Sequence, residues 1–470
     1  MIELALRYHF GQENEKSLQK KRENPKRVEY VQKLFFNNQL TTITDHRRCH
    51  RLSSNDIIVS LDIGTSKVRA IIGEVVNGAI NIIGVGSADS EGIRKGAIVD
   101  IDQTVQSIRN AIDHAERMVG IQIAEVYVGI SGNHIALQSS HGVVAVSNED
   151  REIGDEDIER VIQAAKVIPL APEREIIGVV PNQYLVDGLD EIHDPRSMIG
   201  VRLEVEATII TGAKTAIHNL LRVVEKAGVK VSGLILMSLA AGHLSLSKDE
   251  KAVGTVLVDI GAGQTTIAVF EQNNLVATST LPIGGEYITN DISIGLRTQV
   301  DIADKIKLKF GCAIIEHAAA DQVFKVNRIG SNVDKEFTQI DLANIVEPRV
   351  QEIFHLIRME VQRLGFAEVP GGYVLTGGTV SMPGMLAVAQ AELATSVRIA
   401  VPDFIGVRDP SYTSGVGIIQ YAHKYLRAAK QAGGAKKVIT NPANTKKSSV
   451  ASETKPSVME RFKNWLSEFI

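Results

Sequence analysis

Short apolar runs separated by glycine-containing turns dominate the chain, and two of these passages are copies of one another. Residues 57–72 read apolar run, Asp62-Ile63-Gly64-Thr65-Ser66-Lys67, apolar run. Residues 255–270 read apolar run, Asp259-Ile260-Gly261-Ala262-Gly263-Gln264-Thr265, apolar run. Strand-length apolar runs around glycine predict strand, tight turn, strand. A third passage, 371–384, predicts a strand, a turn at Gly377-Gly378 and a helix entered at Pro383. Elsewhere the apolar spacing shifts to three and four. It predicts helices over 104–119 (Val105, Ile108, Ile112, Ala115 and Val119 on one face), 155–168, 214–228, 301–310, 342–364 and 413–426. Strands are expected at 125–130, 175–184, 202–211, 231–237 and 397–401, with a short hairpin just after residue 134. The mixture is α/β. Residues 134–213 carry no catalytic constellation and read as an inserted α+β unit.

The duplicated turns carry the candidate chemistry. A glycine turn between strands presents several backbone N–H groups together, a geometry that cradles phosphate oxygens. Asp62 and Asp259, at the strand ends, can face a metal ion through water. One Asp-x-Gly hairpin is an ordinary connection; two in register predict two related lobes facing one nucleotide. Gly377 and Gly378 either let backbone approach an adenine or ribose or simply join a strand to a helix. The helix expected to begin at Gly285 offers N–H groups of the same kind.

Composition narrows the class further. A net charge of −4 gives no argument for nucleic acid. The two cysteines, Cys49 and Cys312, make no disulfide framework and fit a reducing compartment. No run of about 18 apolar residues spans a membrane.

The three turns, in this order, resemble the actin/Hsp70/sugar-kinase superfamily. The passages 281–292, 303–313 and 346–349 and the C-terminus resemble, within it, the bacterial cell-division family FtsA, over residues 55–470. The resemblance implies an actin-like two-lobed ATPase fold with duplicated α/β domains, a small inserted subdomain (1C) and a C-terminal amphipathic helix. The implied division is 55–133 with 214–253 (1A), 134–213 (1C), 254–284 with 370–430 (2A) and 285–369 (2B). ATP and Mg2+ are the implied ligands. Gly64, Thr65, Ser66 and Lys67 would meet phosphates from one lobe, and Gly261, Gly263, Gln264 and Thr265 from the other. Asp62 and Asp259 would hold the metal, Gly377 and Gly378 would face adenosine, and the stem of Lys307 would lie beside adenine, though each lysine of 301–310 reads equally well as a solvated charge. The family implies self-association in actin-like filaments and contacts of 1C with neighbouring subunits and later division proteins. It also implies docking of the FtsZ C-terminal tail on 2B, with Arg349 and Arg358 as candidate contacts or plain surface charges. The place implied is the cytoplasmic face of the cell membrane at the division septum. No Gln or Glu lies between Gly233 and Leu246 to position an attacking water, so slow hydrolysis at best is expected. A sugar kinase would need a catalytic Asp there, and an Hsp70-like chaperone would need a peptide-binding domain after residue 426. A pilus-assembly ATP-binding protein would be expected to lack the terminal helix.

The two ends differ from this body. Residues 431–456 are rich in Lys, Ser, Thr, Asn and Ala and read as a flexible linker. Residues 457–470 open with a capping-box pattern, Ser457 and Glu460. They place Val458, Met459, Phe462, Trp465, Leu466, Phe469 and Ile470 on one face, an interfacial membrane helix in preference to one docked on the core. Residues 1–54 are polar and basic, and no methionine lies between Met1 and Met118. Translation is expected to begin at a non-AUG codon near Leu52, so N-terminal sequencing of the native protein should find no residue before Arg51.

Overall fold

The computed structural model describes residues 57–330 and 333–432. The predicted leader, most of the linker and the terminal amphipathic helix lie outside the described residues.

The first lobe comprises β1 (Ile57–Ile63), β2 (Lys67–Val76), β3 (Ala79–Asp89), the short pair β4 (Ile93–Arg94) and β5 (Ala97–Ile98), helix α1 (Ile101–Val119) and β6 (Glu125–Ile130). The chain then leaves through β7 (Ala136–Ala145), α2 (Asp155–Ala165), β8 (Arg174–Val186), β9 (Leu189–Ile192) and β10 (Arg202–Ala213). It returns with α3 (Lys214–Ala227), β11 (Lys230–Leu236), α4 (Met237–Ser245) and α5 (Lys248–Val253). The second lobe comprises β12 (Thr255–Ile260), β13 (Thr265–Glu271), β14 (Asn274–Leu281), α6 (Gly285–Leu296), α7 (Val300–Phe310), β15 (Val323–Val326), β16 (Lys335–Thr338), α8 (Gln339–Arg363), β17 (Tyr373–Thr376), α9 (Met385–Leu393) and β18 (Val397–Ile399). Helix α10 (Thr413–Ala432) follows.

The duplication seen in the turns extends to the whole topology. The first sheet runs β3-β2-β1-β6-β11 and the second β14-β13-β12-β17-β18. In each, three antiparallel strands form a meander, and two more add in parallel on the far side of the first strand. Central strands are buried on both faces, which is why β1 and β12 read as near-continuous apolar runs. Ile108, Ala111 and Ile112 of α1 and Val223 and Val224 of α3 pack on one face of the first sheet. Val416, Ile418 and Ile419 of α10 pack on the other, against Ile58 and Ile71. Val346, Val350, Ile353, Phe354 and Ile357 of α8 join the core of the second sheet.

Local rules explain the helix ends. Helix α1 begins at Ile101 rather than 104 because the Asp100 carboxylate caps it, accepting from the Gln103 N–H at 3.0 Å. Helix α2 stops at Ala165 rather than 168, since Pro169 disfavours helical backbone at Ile168. Helix α3 closes on Gly228 in the left-handed region, as expected. Two expectations are corrected. No hairpin follows residue 134: β7 is one strand that pairs with β10, in a sheet ordered β7-β10-β8-β9. No helix is entered at Pro383 either. Gly377 and Gly384, at φ 93° and 85°, bracket a 3-10 turn at Gly378–Ser381, and α9 starts at Met385.

Gly86 of β3 shows how closely helix and sheet approach. A methyl group there would sit 1.9 Å from the Ala111 carbonyl oxygen and 2.5 Å from the Ala115 nitrogen, both backbone atoms of α1. Gly86→Val should therefore destabilise the protein by about 1–3 kcal/mol or more, read as a lower melting temperature.

Candidate functional site

The two copied turns close with the same hydrogen bond. The Gly64 N–H donates to the Lys67 carbonyl at 3.1 Å, and the Gly261 N–H donates to the Gln264 carbonyl at 3.0 Å. Ile63 pairs with Val68 and Ile260 with Thr265, so both are four-residue loops. The loops meet across the molecule: a methyl group on Gly263 would lie 2.8 Å from the Thr65 side chain. Between the lobes lies a cavity of about 980 Å³ lined by both turns, both aspartates, and Gly377 and Gly378.

Asp62 and Asp259 face this cavity. Burial pushes the Asp62 carboxyl up to about 6, with Asp259 adding to the rise and Arg69 opposing it. Burial raises Asp259 as well, against a hydrogen bond donated by Ser414 at 2.8 Å and the charge of Arg69. Gly377 is required where it stands. At φ 93°, a side chain on it would lie 2.3 Å from a carboxylate oxygen of Asp259.

The remaining sequence-predicted residues divide by what their side chains do. The Lys67 ammonium pairs with Asp89, and its stem lines the cavity. Gln264 spans the lobes, its amide donating to the Ser131 hydroxyl at 3.0 Å. Thr265 is turned away from the cavity: it is fully buried and its hydroxyl donates to the Ile283 carbonyl at 2.8 Å. The reason is register, because Thr265 is the counterpart of Val68, the first buried position of the second strand. The Lys307 ammonium is held by Asp304, by Thr289 and by the Gly285 carbonyl, at 2.7, 2.7 and 3.2 Å, which leaves its stem along the cavity wall. The N–H groups expected to be free at the start of α6 are already engaged. Those of Gly285 and Glu286 donate to the carbonyls of Gly261 and Ala262 at 3.0 and 2.8 Å. Arg349 and Arg358 are not free surface charges. Arg349 pairs with Asp291 and Glu352, and Arg358 donates to the Glu392 carbonyl at 2.8 Å.

Sequence reasoning missed Arg69, the cross-strand partner of Asp62. It lines the cavity beside the two acids, its guanidinium lies 5.1 Å from the Tyr412 ring centroid, and its buried Nε has no hydrogen-bond partner among the described residues. Counting outward from the Gly64 turn would have found it. Ser414 and Thr379, which donates to the Gly261 carbonyl at 2.8 Å, come from distant segments and left no local signal. Among the described residues, no helix is long and apolar enough to cross a membrane.

The chain is similar to known proteins over most of its length. A family model described as cell division protein FtsA matches residues 256–417, and one described as the SHS2 domain inserted in FtsA matches residues 132–211. Cell division protein FtsA of Bacillus subtilis (strain 168) is 52% identical over 376 residues, covering 80% of this chain and 86% of that protein. FtsA of Pseudomonas aeruginosa is 38% identical over 422 residues, covering 88% and 98%. Among solved structures, a PilM-PilN type IV pilus biogenesis complex aligns with a TM-score of 0.55 at 15% identity, over 78% of this chain and 98% of that one. MreB5 of Spiroplasma citri bound to ADP aligns with a TM-score of 0.50 at 13% identity, over 80% and 99%. At these identities the two structures speak to the actin-like fold alone.

The raised Asp62 carboxyl fixes the sign of a pH effect. Its folded pKa lies above the unfolded value, so the folded protein holds the extra proton between about pH 4 and 6. Stability from this group falls as pH rises through that window. Asp62→Asn should therefore raise the melting temperature of the ligand-free protein at pH 7.5, and the gain should disappear at pH 4.

Proposed function

The chain belongs to the FtsA family of cell division proteins, and from that premise we propose that its cleft takes ATP with Mg2+ and that ATP-dependent self-association couples to membrane binding. The observation that carries the nucleotide reading is the pair of turns of equal length and equal closing hydrogen bond on one cavity, each preceded by a buried carboxylate. The donor set suits the ligand. Asp62 and Asp259 would hold the cation through water, and Gly64, Thr65, Ser66 and Lys67, with Gly261, Gly263 and Gln264, would border the phosphates. Thr265 would support its turn from behind. Arg69, whose buried Nε lacks a partner among the described residues, adds a cation beside the acids. Gly377 and Gly378 would admit the adenosine, and the Lys307 stem would flank it. Bound Mg2+ would neutralise phosphate charge; the chain's own residues bind and orient. With no Gln or Glu between Gly233 and Leu246, hydrolysis is slow and the nucleotide acts mainly as a structural ligand.

The protein then works as a scaffold. The face carrying Val458, Met459, Phe462, Trp465, Leu466, Phe469 and Ile470 enters the cytoplasmic surface of the membrane at the division septum. Partial burial of that face contributes a few kcal/mol at roughly 25 cal/mol per Å2. One helix is a weak, reversible anchor, and a filament of many raises the effective concentration of all. The 2B subdomain presents itself to the FtsZ C-terminal tail, and the 1C insert meets neighbouring subunits and later division proteins. Because Arg349 and Arg358 are committed inside the protein, an acidic tail would have to compete with Asp291 and Glu352 for Arg349.

Vesicle co-sedimentation with ATP tests this reading, comparing the full chain with one ending at Thr454. Only the full chain should pellet, and an assembly-deficient variant should pellet less. Equal behaviour of the two lengths would remove the tail as anchor, and undiminished binding by the assembly-deficient variant would remove the coupling.

A further inference from the structure

The short β4–β5 hairpin joins the lobes, and nothing in the nucleotide reading assigns it a role. Ile93 pairs with Ile98 and Arg94 with Ala97, leaving Lys95-Gly96 as a two-residue loop. Both loop residues have positive φ, 48° and 75°. That is the backbone of a primed hairpin turn, whose first position ordinarily goes to Asn, Asp or Gly. Lysine there adopts a conformation that side chains disfavour.

The hairpin is fixed at both ends. At its root, the Ser90 N–H donates to the Ser66 carbonyl of the first turn at 3.0 Å, and Asp89 pairs with Lys67 of the same turn. The Glu91 N–H donates to Ser107 of α1 at 3.0 Å. At its tip, Gly96 lies against the side chain of Gln264 in the second turn, so closely that a methyl group would fall 2.0 Å from the amide oxygen. The Lys95 ammonium lies 5.8 Å from the ring centroid of Tyr287, on α6 of the second lobe, and among the described residues no carboxylate pairs with it. The Arg349 guanidinium is also 5.8 Å from that centroid, and Arg349 belongs to α8. Two cations on one ring tie the hairpin to α8, whose buried face joins the core of the second sheet.

We propose that this hairpin is an interlobe strap: it spans from one phosphate-type turn to the other, and Lys95, through Tyr287 and Arg349, links closure of the cleft to the position of α8. A strap rooted on the first turn and seated on the second feels any change in their separation. Its tip also lines the cavity, so an anionic ligand bound between the lobes acts on the contact of Lys95 with Tyr287. Lys95 is thus a positioning residue. Only the affinity arm of the test below rests on the nucleotide reading.

The test uses the full chain with Lys95→Ala, Tyr287→Leu, Tyr287→Phe, Gly96→Ala and the Lys95→Ala/Tyr287→Leu pair. Without ligand, Lys95→Ala should raise hydrogen–deuterium exchange at residues 261–265 and 285–290 while the melting temperature stays near wild type. With ATP and Mg2+, Lys95→Ala and Tyr287→Leu should each weaken binding about three- to tenfold. The pair should lose no more than Tyr287→Leu alone, and Tyr287→Phe, which keeps the ring, should bind as wild type. Gly96→Ala keeps the lysine but unseats the tip, and should reproduce Lys95→Ala. Unchanged exchange in Lys95→Ala, multiplying losses in the pair, or full affinity in Gly96→Ala would each overturn the strap. If the wild type binds no nucleotide but exchange rises as expected, the strap stands and the nucleotide reading falls.

Discussion

The cleft depends on one backbone hydrogen bond made twice, from the glycine N–H of each Asp-Ile-Gly turn to the carbonyl three residues on. That bond fixes a four-residue loop, and the loop length fixes everything around it. It sets the register of the first two strands in each meander, places each aspartate at the end of a buried strand, and brings Gly263 against Thr65. The second turn also spends its carbonyls, accepting from the first N–H groups of α6 and from Thr379. Helix, loop and strand of the second lobe are thereby pinned to a single point, and Ser414 of α10 is brought to Asp259 at the same place.

The electrostatic cost is concentrated there too. Two carboxylates share a buried wall with a single guanidinium that stacks on Tyr412 instead of pairing with either of them. An apolar side chain at either position would be cheaper for folding alone. Away from the cleft, ion pairs take the ordinary structural form. Arg398 of β18 reaches Glu250 of α5 at 2.7 Å and the Ser245 carbonyl of α4 at 2.6 Å. Its hydrogen bond holds the Glu250 carboxyl down at about 2.

Much of this was legible in the sequence because it is local. The paired hairpins follow from apolar runs around glycine, and the end of α3 from Gly228; the Asp100 cap that starts α1 ahead of residue 104 is a local signal that the apolar spacing alone does not use. Pro169 marks the end of α2, once the bias against helix before proline is applied. What escaped is either a matter of parity or of distance. Thr265 looked like part of the turn because it is polar; counting the pleat from Gly261 makes it the buried partner of Ile260. The same count from Gly64 reveals Arg69 opposite Asp62. By contrast, no local pattern announces that β7 pairs with β10 rather than folding on itself. Nor does one announce that Gln264 reaches Ser131, or that Arg349 is held by Asp291. Those contacts join residues 57 to 133 positions apart, and only the closed topology brings them together.

The place where the insert joins the body has a mechanical meaning. The chain leaves the first lobe after Ile130 and returns to it at Lys214, and the outgoing and incoming strands are laced together at their base, Ala136 at the start of β7 opposite Thr211 near the end of β10. The segments flanking that double strand, Ser131 to His134 and Thr215, form part of the cleft wall. A unit joined by two separate strands is held at two points; one joined by a laced ribbon is held along its whole base, and here β8 also lies against β11 and β7 against β14. The base of the insert and the cleft therefore share one wall, and Ser131, whose hydroxyl accepts from Gln264, belongs to both.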